Sequence, residues 1–315
     1  MAKIDEYLQG VKSVAIAGHV NPDGDCIGSC LGIYLYLRDN YPDIRATVYL
    51  ESWREVFSFI EGMENVQQSC DPAPVDLLIL LDISSASRVG VASPLLDTAE
   101  KTLCIDHHVT NTGTYTWFHN EPQTSSASEV LYGFLDPEKV SADCAAALYT
   151  GIVNDTGVFQ YSSTSPKTMR VAAELMEKGI PFTQIIDQTF FQKSYGQNRM
   201  MGKVLLESRM LFDGKVIFGS ARQSDMEAFQ IEAKDMDGIV SELRNTIGVE
   251  VAAFFYELRE GVCKVSLRSR QLVDVSRVAQ ALGGGGHMRA AGCNVERTIE
   301  EAEEKVIAEL RKCMP

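Results

Sequence analysis

Residues that could bind a metal ion are concentrated in the loop that follows the first apolar run of the sequence. The run VKSVAIAG leads into GHVNPDGDCIGS, so that His19, Asp23 and Asp25 lie within seven residues. One imidazole and two carboxylates suit a divalent ion such as manganese, and the turn formers Pro22 and Gly24 could direct both carboxylates to one point. Taken alone, the loop fits an ordinary strand-to-helix turn equally well, because such turns are also rich in Asp, Pro and Gly.

Three further acidic or histidine positions follow apolar or helical stretches. They are Asp82 after VDLLILL, Asp106-His107-His108 at the end of KTLCIDHH, and Asp155 in GIVNDTGVF. A lone Asp after a strand is more often a helix cap, and Asp155 could belong to a turn at a helix C-terminus. Two adjacent histidines are harder to explain by structure alone in a chain that contains only five.

These positions are expected to lie close together in the fold, because the carboxyl ends of parallel strands meet at one edge of a sheet. Four or five carboxylates cannot share such an edge without cations, since their mutual repulsion would raise their pKa values and destabilise the fold. A centre of two divalent metal ions solves this problem, and it generates a hydroxide nucleophile and stabilises oxygens at phosphorus. The expected members of the centre are His19, Asp23, Asp25, Asp82, His107 and Asp155.

The elements that must position this centre follow from the pattern of apolar runs. Strands are predicted over 11–18, 45–50, 75–82 and 101–108, with helices over 26–40, 53–60 and 86–99. Fully apolar strands that alternate with helices indicate a parallel sheet that is covered on both faces. From about 124 to 178 the pattern is helical, and these helices complete an N-terminal α/β domain.

Beyond this domain the pattern changes to hairpins. Segments 203–223 and 249–270 each read as two strands joined by a turn, which indicates a smaller second α/β domain with a mixed sheet. A length of 315 residues also favours two domains. The expected division is a catalytic domain over 1–182, a connecting helix over 183–202 and a substrate-binding domain over 203–315, with a cleft between the domains.

The second domain carries a local excess of positive charge. Residues 264–289 hold five basic residues against one Asp, inside a chain with a formal charge of −14. Four successive glycines over 283–286 would let backbone N–H groups approach a phosphate, and a histidine follows directly. Substrate binding is therefore predicted for Arg268, Arg270, Gly284, Gly285, Gly286 and His287.

Structural explanations for these residues remain open. A glycine run alone is often a flexible loop, and spaced arginines of a strand could simply be solvated. Arg88, six residues after Asp82, is a further candidate for substrate binding but could equally be an exposed residue in the first turn of its helix.

Composition and charge exclude several classes of protein. Hydrophobic residues make up 45% and charged residues 23%, as in folded globular proteins. Acidic residues outnumber basic ones 43 to 29, so the surface should repel a long nucleic acid duplex. The opening MAKIDEYLQG lacks the features of a secretory signal and no apolar run reaches membrane-spanning length, so a cytoplasmic protein without a membrane partner is expected. The eight cysteines include no CxxC pair and are expected to be reduced and mostly buried.

The motifs together resemble those of a known family. GHVNPDGD, the Asp of LLDIS, CIDHH and GIVNDTG, in this order and spacing, are similar to the four motifs of the DHH phosphoesterases. GGGGHMRAAG over 283–292, preceded by VSLRSR over 265–270, resembles the associated DHHA1 domain. The resemblance covers most of the chain, and the overall size is similar to the nanoRNase and pAp-phosphatase branch.

The resemblance implies a role for each motif residue. It implies one metal ion held by His19, Asp23 and Asp82. It implies a second ion held by Asp25, Asp82, His107 and Asp155, so that Asp82 bridges the two. The implied catalytic residues are Asp82, His108 beside the scissile phosphate, and Asp106, which would orient the site. Arg268 and His287 would hold the terminal phosphate or nucleotide from the other domain.

The implied activity is hydrolysis of very short oligonucleotides, pApA-type dinucleotides or 3′-phosphoadenosine 5′-phosphate (pAp), with two manganese ions. A cyclic-dinucleotide phosphodiesterase and a non-catalytic nucleotide- or RNA-binding module are the alternatives. An inorganic pyrophosphatase would share the metal motifs but not the GGGH loop. A single-strand DNA exonuclease would need a longer chain and a basic, aromatic-lined channel. The oligomeric state is left open, with a homodimer as one option.

Overall fold

The structure, a computed structural model, describes residues 3–314 of the chain. The chain divides into two compact units, Met1–Gln192 and Lys193–Pro315. The division falls inside the segment 183–202 that was expected to be one connecting helix. This segment is instead two helices, because the first ends at Phe191 and Ser194 caps a new one. Each unit has its own sheet and its own core.

The first unit contains five strands and six α-helices among its described residues. The strands are β1 (Ser13–Ala17), β2 (Arg45–Tyr49), β3 (Leu77–Leu81), β4 (Lys101–Asp106) and β5 (Trp117–Asn120). The helices are α1 (Gly24–Asn40), α2 (Leu95–Thr98), α3 (Ala127–Tyr132), α4 (Ala142–Asp155), α5 (Pro166–Glu177) and α6 (Phe182–Ile186), which continues as a π-helical turn over Asp187–Phe191. All five strands are parallel, in the order β2-β1-β3-β4-β5.

Both faces of this sheet are covered, which confirms the predicted parallel α/β architecture. Every residue of β3 is buried. Its alternate residues pack into two separate apolar clusters, with Leu77 and Ile79 in one and Leu78 and Leu80 in the other. A strand buried on both sides needs apolar residues at every position, which is why its sequence is a continuous apolar run.

Two local predictions for this unit were wrong, and one strand was missed. The helices predicted over 53–60 and 86–99 are only short 3₁₀ turns and one four-residue helix. Strand β5 was not predicted, although it pairs in parallel with β4 and forms an edge of the sheet.

Helices α1 and α4 pack closely because glycines lie at their contact. A Cβ atom at Gly28 would lie 2.5 Å from the carbonyl oxygen of Ala147, and one at Gly32 would lie 2.6 Å from the side chain of Leu148. A larger residue at Gly28 would require a shift of the opposite helix, and one at Gly32 would require the Leu148 side chain to move. This contact brings the N-terminus of α1 beside the C-terminus of α4.

The second unit contains six strands and five α-helices among its described residues. The strands are β6 (Arg209–Leu211), β7 (Val216–Ala221), β8 (Val251–Arg259), β9 (Val262–Ser269), β10 (Gly285–His287) and β11 (Ala290–Val295). The helices are α7 (Tyr195–Glu207), α8 (Gln223–Phe229), α9 (Ile239–Arg244), α10 (Val275–Ala281) and α11 (Ile299–Cys313). The order is β10-β11-β9-β8-β7-β6, with β7 and β8 parallel and the other pairs antiparallel, so the predicted mixed sheet is confirmed.

Two features of this unit differ from the sequence-based expectation. The residues KVLLE, expected in a strand, end helix α7, which begins upstream at a reciprocal cap between Ser194 and Gln197. The glycine run over 283–286 does not form an open loop, because its last two residues belong to β10 (Gly285–His287), which pairs with β11. The hairpin of β8 and β9 was predicted correctly.

Two further expectations concern the whole described chain. Over residues 3–314, no helix is both long enough and apolar enough to cross a membrane. All eight cysteines are free and six of them are buried, as expected for reduced thiols.

Candidate metal centre and substrate surface

The predicted metal-binding residues lie at the carboxyl edge of the first sheet. His19 follows β1, Asp82 follows β3, and His107 follows β4. Asp23 caps the N-terminus of α1, where its side chain accepts two backbone N–H bonds, and Asp155 is the last residue of α4. The topology of the sheet and the α1–α4 contact therefore bring all five residues to one place.

Asp82 lies between two histidines. Its Oδ2 is 3.4 Å from Nε2 of His19, and its Oδ1 is 3.4 Å from Nε2 of His107. The residue is 2% exposed, and Oδ1 is a buried oxygen without a hydrogen bond. Its φ of +54° lies in the left-handed region, which non-glycine residues seldom adopt. Each carboxylate oxygen thus faces a different group of candidate ligands.

The first group surrounds His19. The N–H at Nδ1 of His19 donates to the carbonyl oxygen of Val20 at 2.8 Å, which leaves the lone pair of Nε2 for a metal ion. Nε2 is also 3.7 Å from Oδ2 of Asp23. Sequence reasoning missed Cys26, whose buried thiol lies with His19 and Asp82 in a group of potential ligand atoms within 4.8 Å of one another. Nothing in its local sequence distinguished it from the other buried cysteines.

The second group surrounds His107. Its Nε2 is 3.5 Å from Oδ2 of Asp155 and 3.9 Å from Oδ2 of Asp25. Asp25 is 1% exposed, and its carboxylate accepts hydrogen bonds from the backbone N–H groups of Ala127 at 2.6 Å and Ser128 at 3.0 Å. These donors belong to the N-terminal turn of α3, which favours a negative charge.

His108 is held by a network of buried polar groups. The N–H at Nδ1 of His108 donates to Oδ1 of Asp106 at 2.8 Å, and Asp106 is fully buried. The amides of two residues that sequence reasoning missed complete the network. Asn111 donates to the other oxygen of Asp106 at 2.8 Å, and Asn120 donates to the backbone carbonyl of His108 at 2.8 Å.

Electrostatics of this cluster match a cation site. Burial, reinforced by the charge of Asp82, raises the pKa of Asp25 to about 7, and burial with the charge of Asp25 raises that of Asp155 well above its ordinary value. Burial would also raise the pKa of Asp82, but contacts with His107 and His19 outweigh it and hold that pKa low. Burial lowers the pKa values of the two histidines, yet their acidic neighbours raise them to about 12 for His19 and about 10 for His107.

These opposed shifts are what crowded charges produce when no metal charge offsets them. The unpartnered oxygen of Asp82, the Nε2 atoms that face carboxylates and the set of imidazole and carboxylate donors all suit a divalent ion. The residues therefore fit a divalent metal ion.

Three of the six predicted substrate-binding residues of the second unit, Arg268, Gly285 and His287, lie on one side of its sheet. Ala290 pairs with Arg268 on one neighbouring strand and with His287 on the other, so the three residues form a row across β9, β11 and β10. Ser266, Gly292 and Gly285 form the next row on the same side. We call this surface the open face, and its partly or fully exposed residues are Lys264, Ser266, Arg268, Gly285, His287, Ala290, Gly292 and Asn294.

The predicted glycines divide into two kinds. A Cβ atom at Gly286, which has a φ of +142°, would lie 2.5 Å from the carbonyl oxygen of Ala290, and one at Gly284 would collide with the backbone of β11. These two glycines are required by the close approach of β10 to β11. Gly285 has no atom within 4 Å of a Cβ position, so its backbone is open to a ligand.

Several basic residues of the predicted island have other partners. Arg270 follows β9, donates to the carbonyl oxygen of Arg244 at 3.2 Å, and lines a cavity of about 560 Å³ whose walls include neither Arg268 nor His287. Arg277 is 3.5 Å from Asp274. In the first unit, Arg88 is exposed, and its Nη2 is 3.4 Å from Nδ1 of His19 and 3.5 Å from the carbonyl oxygen of Val20.

Comparison with known proteins finds similarity along the whole chain. The model of the DHH family, N-terminal domain, matches residues 13–152, and that of the DHHA1 domain matches 213–314. The bifunctional oligoribonuclease and PAP phosphatase NrnA of Thermus thermophilus is 32% identical over 99% of this chain and 94% of its own length. The cyclic-di-AMP phosphodiesterase PdeA of Listeria monocytogenes is 27% identical over 97% of this chain and 48% of its own. The crystal structure of an exopolyphosphatase-related protein from Bacteroides fragilis, 25% identical, has a TM-score of 0.90 over 98% of this chain and 94% of its own.

Proposed function

Because the chain belongs to the DHH family of phosphoesterases and carries a DHHA1 domain, we propose that it hydrolyses short oligonucleotides and pAp with two divalent metal ions, and that these ions are manganese. The relative from Thermus thermophilus, named as an oligoribonuclease and PAP phosphatase, supports this substrate class because the match runs over almost the full length of both proteins. The observation that carries the proposal is the carboxylate of Asp82, whose two oxygens face two different histidines at 3.4 Å.

The proposed ligand sets share that carboxylate. One set is His19, Asp23 and Asp82, and the other is Asp25, Asp82, His107 and Asp155. Divalent ions bound there would supply an activated water molecule and Lewis-acid stabilisation of the phosphoryl oxygens. Manganese suits a mixture of imidazole and carboxylate ligands.

His108 acts on the substrate itself in this proposal. Its Nδ1–H donates to Asp106, which fixes the ring plane, and a ring protonated at both nitrogens would donate its Nε2–H to a phosphoryl oxygen. Asp106 is therefore proposed to orient the ring without touching the substrate. Arg88, exposed beside His19, is proposed as a further contact for a phosphate oxygen.

The open face of the second unit is proposed to bind the nucleotide. Arg268 and His287 lie on the same side of the sheet with only the small side chain of Ala290 between them, so both can approach one phosphate. No atom lies within 4 Å of the Cβ position of Gly285, so a phosphate can approach its backbone closely. Arg270 and the backbones of Gly284 and Gly286 stay as predicted contacts, although the packing of Gly284 and Gly286 has a structural cause of its own.

A substrate panel with manganese tests the proposal. Because the chain has a formal charge of −14 and its local excess of positive charge spans only residues 264–289, each nucleotide beyond the first few should add repulsion without new contacts. We expect phosphate release from pAp and a fall in kcat/KM beyond about four or five nucleotides of RNA. The salt dependence should correspond to roughly two to four phosphate contacts, at a slope near −0.7 per contact.

Three results of the panel would contradict the proposal. Equal or rising efficiency on 20-nucleotide RNA with a steep salt dependence would indicate a polymer-binding surface and a processive nuclease. Nucleotide binding without any product would indicate a non-catalytic module. Hydrolysis of cyclic dinucleotides but of no linear substrate would favour a cyclic-dinucleotide phosphodiesterase, the function that the name of the Listeria relative supports as second candidate.

A further inference from the structure

Asn111 is a buried residue that joins two loops of the metal centre. It is 3% exposed, and its Nδ2 donates to the carbonyl oxygen of Ile83 at 2.6 Å and to Oδ2 of Asp106 at 2.8 Å. Ile83 directly follows Asp82, and Asp106 is the residue that holds His108. A single side-chain amide therefore contacts the loop after β3 and the end of β4 at once.

The orientation of this amide is unambiguous. Both acceptors of Nδ2, a backbone carbonyl and the Asp106 carboxylate that also accepts from His108, require a donor at that position. On the other side, Oδ1 accepts from the backbone N–H of Gly113 at 3.0 Å and from the hydroxyl of Tyr115 at 3.4 Å. All donors and acceptors of the amide are engaged, so the side chain is fixed in one position.

The conformation of Asp82 explains why such a tie is needed. A φ of +54° places Asp82 in the left-handed region, which a non-glycine residue keeps where its surroundings hold it. The backbone N–H of Asp82 donates to Ile105 at 3.3 Å, and Asn111 holds the carbonyl of the next residue at 2.6 Å. Both sides of this left-handed residue are thereby tied to the neighbouring strand and its loop.

We propose that Asn111 is a positioning residue that sets the spacing between the Asp82 carboxylate and the His108 imidazole, which are 3.6 Å apart at Oδ1 and Nδ1. The inference rests on the proposed function, because both of these residues are assigned to the chemistry there. Asn111 touches neither metal nor substrate and acts through the Ile83 carbonyl and the Asp106 carboxylate.

A double-mutant cycle on kcat tests this role with pAp and short RNA at saturating manganese. We expect Asn111→Ala to lower kcat by about 10- to 100-fold, the range found for residues that orient metal ligands, with KM changed less than about threefold. In a His108→Ala background the same substitution should cost less, because one of the two residues that Asn111 positions is already gone. Asn111→Ser leaves a smaller void than Asn111→Ala, and it replaces the alanine variant in the double-mutant cycle if that variant does not fold.

Asn40→Ala is the matched control. The amide of Asn40 also donates to two backbone carbonyls, those of Tyr36 at 2.8 Å and Lys139 at 3.1 Å, but it takes no part in the metal centre. It should change the melting temperature without changing kcat. Additive losses in the Asn111 and His108 cycle, or a change in KM alone, would overturn the positioning role. A wild-type protein without activity on any substrate of the panel would instead overturn the proposed function.

Discussion

The two units of the molecule place the charged residues of their candidate sites differently. The first unit buries three carboxylates, those of Asp25, Asp82 and Asp106, all at most 2% exposed, and Asp82 has a left-handed backbone. The second unit leaves Arg268 partly exposed and His287 exposed on the open face. Burying charges is costly unless opposite charges offset them, whereas an exposed cation costs little. Substitutions in the first unit should therefore affect metal binding and stability together, and those in the open face should affect substrate binding alone.

The largest effect is expected for Asp82→Ala. Because Asp82 is proposed to belong to both ligand sets, its loss should lower kcat by more than about 100-fold, beyond the range of residues that only orient ligands. Bound manganese, measured by atomic emission, should fall further than in Asp23→Ala or Asp155→Ala. Asp76→Ala is the control, since Asp76 precedes the same strand at its other end and accepts backbone N–H bonds from Lys12 and Ser13. Full turnover by Asp82→Ala would refute the shared carboxylate.

An intermediate effect is expected on the open face. Arg268→Ala and His287→Ala should each raise KM for pAp by about 10- to 100-fold, as expected for a charge-assisted hydrogen bond of about 1.5–3 kcal/mol. Metal content should stay at the wild-type level. Arg277→Ala serves as control because that exposed arginine pairs with Asp274. Loss of metal in either test variant would show that the second unit takes part in metal binding as well as in substrate binding.

The smallest effect is expected on the pH dependence of stability. In the metal-free protein, raised pKa values of Asp25, about 7, and His107, about 10, mean that the folded state binds more protons than the unfolded chain. The free energy of unfolding should therefore fall as pH rises from 6 to 9. Each kcal/mol lost should lower the melting temperature by about 2–4 °C.

Thermal melts in EDTA and in manganese at several pH values measure this effect. Manganese should flatten the pH dependence, since metal ions replace the bound protons. Asp25→Asn should weaken the slope in EDTA, while the Asp76→Ala control should keep it. A melting temperature that rises with pH in EDTA would contradict the charge balance described for the first unit.

The sequence predicts the elements that are buried on both sides. Leu77–Leu81 is a strand because every side chain meets an apolar neighbour, and this requirement is visible as an unbroken apolar run. Trp117–Asn120 has no such signal, because its residues are only partly buried and its pairing with β4 alone makes it a strand. The residues Val204-Leu205-Leu206 mislead in the opposite way, since a distant cap at Ser194 decides that they are helical.

In the candidate site, too, a residue is predictable only where the local sequence pattern fixes its position. His19, Asp82 and His107 are predictable, because a polar residue after an apolar strand must lie at the edge of the sheet. Asn111 is not, since its amide joins Ile83 to Asp106 across two loops, and no spacing within the sequence marks that contact.

The close contact of α1 with α4 has a consequence for synthesis on the ribosome. The glycine surface of α1 finds its partner only when Ala147 and Leu148 have been translated, more than 100 residues after Gly28. At about 5–20 residues per second, the chain between Asp25 and Asp155 takes on the order of ten seconds to make. During that time the carboxylates of Asp23 and Asp25 lack the residues that surround them in the folded unit. The apolar side of α1 that packs on α4 is also exposed to solvent. We therefore expect the nascent first unit to expose this apolar surface to chaperones until α4 emerges, and the full set of proposed metal ligands to come together only then.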